Sequence, residues 1–245
     1  MVITMNTSSS LELIPFLKEL YLDEKYSDLT IICGTQSRKV HKAIVCPRSK
    51  FFAAACDNKD FKEGRTGIIE LPDDDPRIVD LMIYYFYHLT YHINCPKNQK
   101  QSDDYSTDDY STDETIIPPK TSDILTHAKV YSLAEKYLIE GLKKLAFERF
   151  KTAIETNWDF QDFRDAIWEV YTSTVDADKG LRDIIVATLW KRPWMLGKKE
   201  IQDLLKELGS LSFDLLMHIY RMERWGPYTT EADDPAVRQM RVKKY

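Results

Sequence analysis

The segment from residue 26 to residue 52 constrains the fold more than any other part of the chain. It begins Tyr-Ser-Asp-Leu-Thr-Ile-Ile-Cys-Gly and continues, from residue 38, as Arg-Lys-Val-His-Lys-Ala-Ile-Val-Cys-Pro-Arg-Ser-Lys-Phe-Phe. This pattern predicts two strands, Leu29–Cys33 and 38–41, with a turn at Gly34 and Thr35. A helix is predicted from Lys42 to Val45, and another from Pro47, because proline suits a first helical turn. The segment lacks the nucleophile, phosphate loop or ligand cluster that would indicate catalysis.

Three further elements complete the first half. Apolar residues at steps of three and four predict a helix over 11–22. Residues 68–71 read as a third strand that ends at Pro72. A helix opened by Pro76 and running through Tyr91 is apolar on nearly every side, so it is expected in the middle of a core.

The composition changes abruptly at residues 97–123. This stretch is polar and acidic and contains Asp-Asp-Tyr-Ser-Thr twice, at 103–107 and 108–112. It lacks the apolar surface needed to order itself, so it is predicted to be a disordered insertion. Ser106 and Ser111 each precede an acidic residue by three positions, which suits an acidophilic kinase. The alternative is a solvated linker whose serines match by chance.

Helical periodicity resumes at Ile124, and Gly141 is predicted to separate that helix from another over 142–154. Four more helices follow, each with the i, i+3, i+4, i+7 pattern of apolar residues. They centre on residues 163–171, 181–189, 201–208 and 213–220. The five tryptophans of this half are expected to pack between helices rather than to form a ligand cage.

Charge and cysteine usage limit the function classes. A net charge of -5 argues against nonspecific binding to nucleic acid. No apolar run approaches the ~20 residues of a membrane-spanning helix, and residues 1–10 do not resemble a secretory signal. Four cysteines without a CxxC motif suit reduced thiols, so residence in the cytoplasm and/or nucleus is expected.

Five motifs, in this order along the chain, resemble a BTB/POZ domain. They are Ser-Asp-Leu-Thr-Ile, Val-His-Lys-Ala-Ile-Val, Ser-Lys-Phe-Phe, Phe-Lys-Glu and Ile-Glu-Leu-Pro-Asp-Asp-Asp-Pro. The pattern is closest to BTB proteins of filamentous fungi, and the helical second half resembles a BACK-like extension. The resemblance implies an α+β BTB/POZ fold, a small three-stranded sheet flanked by helices, followed by an all-α helical region. It places the BTB domain at 11–155 with the insertion at 97–123, the extension at 156–225, and flexible ends at 1–10 and 226–245.

The resemblance implies a non-enzymatic protein-interaction module without a cofactor, which forms a homodimer. The dimer is expected to use the helix over 11–22 and the helices after Lys42. The expected interface residues are Leu11, Ile14, Leu17, Asp28 and Lys42. Asp28 and Lys42 match a buried charged pair near the dimer groove of BTB domains; the alternative is a structural salt bridge with no role in recognition.

Phe61 and Glu63 match the apolar-x-Glu motif that cullin-3-binding BTB proteins carry in the loop before their third strand. The apolar residue would fill a pocket on the cullin, and the carboxylate beside it would make a polar contact. The alternative is a core phenylalanine with a solvated glutamate. The motif favours a substrate adaptor of a cullin-RING ubiquitin ligase, with a client protein that the sequence does not name. The runner-up is a transcription-related or other assembly scaffold, and the basic tail at residues 238–244 is the feature that favours it.

Two sets of histidines are candidates for chemistry. His41 lacks a recognisable nucleophile and acid partner nearby, so a hydrogen-bonded junction residue is expected rather than a general base. His88 and His92, with Cys95 one turn further, have a spacing that can present two imidazoles to zinc. A fourth ligand is not evident, so no metal site is predicted.

Overall fold

The computed structural model describes residues 7–93, 123–156 and 159–224, without the side chains of 7–14 and 223–224. The three strands of this part are β1 Leu29–Cys33, β2 Gln36–Val40 and β3 Ile68–Glu70. Its helices are α1 Thr7–Asp23, α2 Lys42–Val45, α3 Lys50–Asp57, α4 Lys62–Thr66, α5 Pro76–His88, α6 Ile124–Lys136, α7 Glu140–Thr156, α8 Phe160–Ser173, α9 Gly180–Lys191, α10 Lys199–Glu207 and α11 Gly209–Arg224. The predicted insertion, apart from Asp123, lies outside the described residues, as do Ser106, Ser111 and the tail.

The strands form one sheet in the order β2-β1-β3. β1 runs antiparallel to β2, with Leu29 opposite Val40, and parallel to β3, with Thr30 opposite Ile68. The tight turn at Gly34, where φ is +57°, brings Gln36 opposite Cys33, so β2 begins two residues before its predicted start. Alternate residues of β1 are buried, which gives the sheet one face toward the core.

The third helix begins later than predicted. Pro47 lies in a 3-10 turn, Cys46–Arg48, and α3 starts at Lys50 instead. Ser49 caps α3 by accepting a hydrogen bond from the Phe52 N–H at 3.1 Å. Its hydroxyl also donates to the carbonyl of Tyr137 at 2.7 Å, which ties α3 to the end of α6. The cap residue, rather than the proline, sets the start of this helix.

The prediction that α5 sits in the middle of the core is confirmed. Pro76 occupies the first turn, and Asp75 caps the helix by accepting from the Arg77 N–H at 2.9 Å. Seven of the thirteen residues are buried, on more than one side: Ile78, Val79, Met82, Ile83, Tyr85, Phe86 and Tyr87. The helix ends at His88, because Leu89 takes a left-handed conformation with φ +55°.

Gly141 does not separate two helices. α6 ends at Lys136, the chain turns at Leu138 with φ +55°, and Gly141 lies inside α7. A Cβ atom at Gly141 would lie 2.2 Å from the Tyr85 hydroxyl oxygen. The glycine therefore leaves room for the Tyr85 hydroxyl of α5 against α7, and its role as a helix breaker was predicted wrongly.

The chain divides into two compact units, residues 1–162 and 163–245. In the second unit, Phe163, Ile167, Leu181, Ile185 and Ile201 belong to the buried core. The four helices expected in this half are present. Trp168, Trp190 and Trp194 are 46%, 40% and 55% exposed, so each buries about half of its surface. Trp190 on α9 packs against His218 on α11, with ring centroids 6.4 Å apart, as expected of a helix-packing tryptophan, and Trp158 and Trp225 lie outside the described residues. None of the described helices is long and apolar enough to span a bilayer.

Candidate protein-interaction surface

Phe61 lies on the surface immediately before α4, with 53% of its area exposed. Its backbone is extended, and its N–H donates to the Asn58 carbonyl at 3.2 Å. Glu63 is half-buried in the first turn of α4. The motif was expected in a loop, but Lys62 and Glu63 belong to a short helix. The alternative of a core phenylalanine is wrong.

Two glycines hold α4 in place. A Cβ atom at Gly64 would lie 2.2 Å from the Asn58 carbonyl oxygen, so only glycine permits this approach of helix and turn. Gly67 ends the helix with φ +65°, and its N–H donates to the Glu63 carbonyl at 2.9 Å. The backbone that carries Phe61 and Glu63 is therefore fixed on both sides before β3 begins.

The Glu63 carboxylate has no ion-pair or hydrogen-bond partner among the described residues. Its neighbour Lys62 pairs instead with Glu70 at 3.4 Å across the surface. An exposed aromatic ring followed two residues later by an unpaired carboxylate offers two groups that another protein can cover, since both gain contacts on binding.

Asp28 and Lys42 do not form the expected buried charged pair. Asp28 is exposed, and its Oδ1 accepts a hydrogen bond from the backbone N–H of Lys42 at 2.8 Å. No ion pair joins their side chains in the part of the chain that the structure describes. The carboxylate instead satisfies one of the free N–H groups at the start of α2.

The helix α1 turns one face toward its own domain. Tyr21 packs against α5, with its ring centroid 5.5 Å from those of Tyr84 and Tyr87. Leu17, four residues earlier and therefore on the same side, is half-buried. Phe16 and Leu22 are 54% and 72% exposed. The side chains of Leu11 and Ile14 lie outside the described residues.

His41 is a buried junction residue. Its backbone N–H donates to the Tyr87 hydroxyl at 3.0 Å, and its Nδ1 lies 2.8 Å from the same oxygen. The Nε2 atom lies 2.6 Å from the Lys25 carbonyl oxygen. Both ring nitrogens are thus engaged in joining β2, α5 and the end of α1.

His88 stacks on the ring of Tyr84, with centroids 3.8 Å apart and planes 4° apart. Burial lowers the pKa of His88 below its ordinary value of 6.5. Cys95 lies outside the described residues. Within the segments 7–93, 123–156 and 159–224, no three His, Cys, Asp or Glu side chains converge as metal ligands would.

Comparison with known proteins identifies the first part of the chain. Residues 17–108 match the family model of the BTB/POZ domain. The Protein maternal effect lethal 26 of Caenorhabditis elegans is 25% identical over 136 residues, which are 56% of this chain and 30% of that protein. The chain therefore spans less than a third of the length of this relative.

Two solved structures are also similar. The BTB domain of zebrafish PATZ1 gives a TM-score of 0.41 at 12% identity and covers 62% of this chain and 99% of its own. The BTB domain of human Gigaxonin gives a TM-score of 0.39 at 15% identity, over 60% of this chain and 96% of its own. The BACK-like extension and the fungal pattern stay predictions. The sheet, the helices around it and the family match together establish that this chain carries a BTB/POZ domain, a protein-interaction module, followed by a mostly helical region.

Proposed function

We propose that this chain is a substrate adaptor of a cullin-3-type RING ubiquitin ligase that acts as a homodimer without catalysing a reaction itself. The observation that carries the proposal is the exposed Phe61, two residues before the unpaired carboxylate of Glu63, on a backbone fixed by Gly64 and Gly67. The resemblance of these residues to the apolar-x-Glu motif supports the choice of a cullin as partner.

Burial of the Phe61 side chain by a partner would contribute a substantial part of the binding free energy. Burying an aromatic side chain removes ~150–250 Å² from water, and apolar area contributes about 25 cal/mol per Å². Phe61 already buries nearly half of its surface, so full burial by a partner contributes roughly 2 kcal/mol. A partner that also forms a hydrogen bond or ion pair with the Glu63 carboxylate is held at two points, because the two groups are two residues apart in the chain. Two contact points fix the position of the partner along this segment.

The adaptor proposal is tested by measuring binding of the purified chain to the N-terminal domain of a cullin-3 by biolayer interferometry. We expect Phe61→Ala and Glu63→Arg each to weaken binding by at least ~30-fold, about 2 kcal/mol. Phe213→Ala is the matched control, since Phe213 is 62% exposed in the second unit, and it should bind as the wild type does. Equally weak binding by wild type and Glu63→Arg would remove the adaptor proposal.

The helical second unit is the proposed recruiter of the client. It exposes large apolar side chains at several positions, among them Trp168, Phe213 and Leu216. Exposed large apolar side chains can contribute to a protein-binding surface, which supports this assignment. The identity of the client is a question for affinity purification with mass spectrometry.

The proposed dimer uses α1, with Leu11, Ile14, Leu17, Asp28 and Lys42 at the interface. The exposed side chain of Phe16 supports it, because it adds apolar surface to this helix. We expect Phe16→Glu to raise the dimer dissociation constant at least ~10-fold, since a charge at an apolar interface must be desolvated.

Sedimentation velocity across a concentration series measures this effect. Val175→Glu provides the control, because Val175 is 65% exposed in the second unit. A wild-type chain that stays at 28.7 kDa at micromolar concentration would show that it does not dimerise in this way.

The runner-up is a transcription-related or other assembly scaffold that uses the BTB domain without ubiquitin transfer. Its support is the basic tail, Arg238, Arg241, Lys243 and Lys244, which lies outside the described residues. Imaging of a fluorescently tagged chain separates the two functions, since strictly cytosolic residence disfavours a nuclear scaffold. Phosphorylation of Ser106 and Ser111 stays a prediction from the sequence.

A further inference from the structure

A groove of about 590 Å³ lies between α1, β2 and α5 within the first compact unit. Ile78 and Leu81 supply apolar surface to it, and the stacked rings of Tyr84 and His88 continue that surface. Tyr21 meets His88 edge-on, with centroids 5.1 Å apart. The groove thus presents an apolar and aromatic wall rather than a hydrophilic one.

The groove carries more positive than negative charge. Arg38 is neutralised by Asp80, whose Oδ1 lies 3.2 Å from the guanidinium Nε. Lys18 and Arg77 are exposed and line the groove, and neither has a carboxylate within 4 Å among the described residues. Burial lowers the pKa of His88, which disfavours a positive charge on its ring. Two positive charges therefore stand uncompensated beside an apolar wall.

We infer that this groove binds an acidic segment of a partner protein, with an apolar or aromatic side chain on the wall and carboxylates on Lys18 and Arg77. The chain as a whole carries a charge of -5 and repels acidic peptides, so the groove is a local exception that selects for them. Two cations are too few for a nucleic-acid backbone, and an apolar wall offers little to a phosphate chain. This binding surface goes beyond the proposed function and does not depend on cullin binding.

The alternative occupant that the test has to exclude is an acidic segment of the same chain. Ile93 and Thr126 both line the groove, and the acidic residues of 103–114 lie between them in sequence. A tethered segment competes at a high effective concentration. The experiment therefore uses two forms, the full chain and a full chain in which residues 97–122 are replaced by a Gly-Ser linker.

Fluorescence anisotropy measures binding of the labelled peptide Glu-Asp-Leu-Tyr-Asp-Glu and of its uncharged counterpart Gln-Asn-Leu-Tyr-Asn-Gln. We expect the acidic peptide to bind both forms of the chain, and Lys18→Glu/Arg77→Glu to weaken that binding at least ~10-fold. The matched control is Lys39→Glu/Lys59→Glu, which changes the net charge equally. Lys39 follows Arg38 on β2 and so projects to the opposite face of the sheet.

Several outcomes overturn the inference. Equal losses in the two charge-reversed variants would show a nonspecific effect of net charge, and equal binding of both peptides would remove the role of the cations. Binding only to the linker form would assign the groove to the chain's own acidic segment. Absence of binding to both forms would leave no acidic ligand for the groove. Thermal unfolding of each variant by circular dichroism separates lost binding from lost folding.

Discussion

Replacing Arg182 by alanine is expected to lower the free energy of unfolding of the second compact unit by about 3–5 kcal/mol. Arg182 is 1% exposed, and its Nη2 donates to the Thr174 carbonyl at 2.6 Å. Its Nε donates to the Thr174 hydroxyl at 3.1 Å, and the guanidinium lies 4.6 Å from the ring centroid of Tyr171. Alanine leaves a large cavity and a buried carbonyl without its donor. Urea denaturation followed by circular dichroism measures the loss.

Two further variants separate the sources of this effect. Asp176 pairs with Arg182 at 2.6 Å, but its side chain is 83% exposed, so Asp176→Asn should cost less than about 1 kcal/mol. Arg182→Lys keeps the charge but cannot reproduce the planar fork of donors, so an intermediate loss is expected. If Arg182→Ala costs no more than Asp176→Asn, the guanidinium is not the anchor of this unit.

Local sequence signals predicted the elements that local chemistry determines. β1 matches its predicted bounds, and Pro76 opens α5 as expected, because alternation and the proline position act within a few residues. Gly141 shows where this reasoning stops. Its role depends on Tyr85, 56 positions away in sequence, and no local pattern distinguishes a glycine that breaks a helix from one that makes room for a distant side chain.

The interaction surface, too, was predicted from the sequence only in part. The motif identified Phe61 and Glu63, but their exposure and the short helix that carries Glu63 depend on how the chain packs around Asn58. Asp28 was recognised as important, yet its partner is the backbone N–H of Lys42 rather than the lysine side chain. The presence of an aspartate and a lysine in the sequence cannot distinguish these two roles, because both the backbone N–H and the side-chain ammonium of Lys42 can donate to a carboxylate.

The second large effect expected is a loss of stability with acidification that is caused by His127. This side chain is buried, and its Nδ1 lies 2.7 Å from the Tyr91 hydroxyl oxygen. Burial, with a smaller contribution from the nearby Arg149 charge, lowers the pKa of His127 to about 4. Well above pH 6.5 the imidazole is neutral in both the folded and the unfolded chain, so it makes no pH-dependent contribution to stability there.

As the pH falls from 6.5 to about 4, the unfolded chain binds this proton and the folded chain does not, so stability decreases over that window by roughly 3 kcal/mol. His127→Phe removes the titrating group while keeping a ring of similar size. The variant loses the bond to Tyr91 at neutral pH, but its unfolding free energy should fall less between pH 7 and pH 4.5 than that of the wild type. Urea denaturation at both pH values measures the difference. The carboxylates also titrate in this range, but they are the same in the two proteins, so their contribution cancels. Parallel pH profiles would show that His127 becomes protonated within the folded domain, and that the contact between α6 and Tyr91 tolerates the charge.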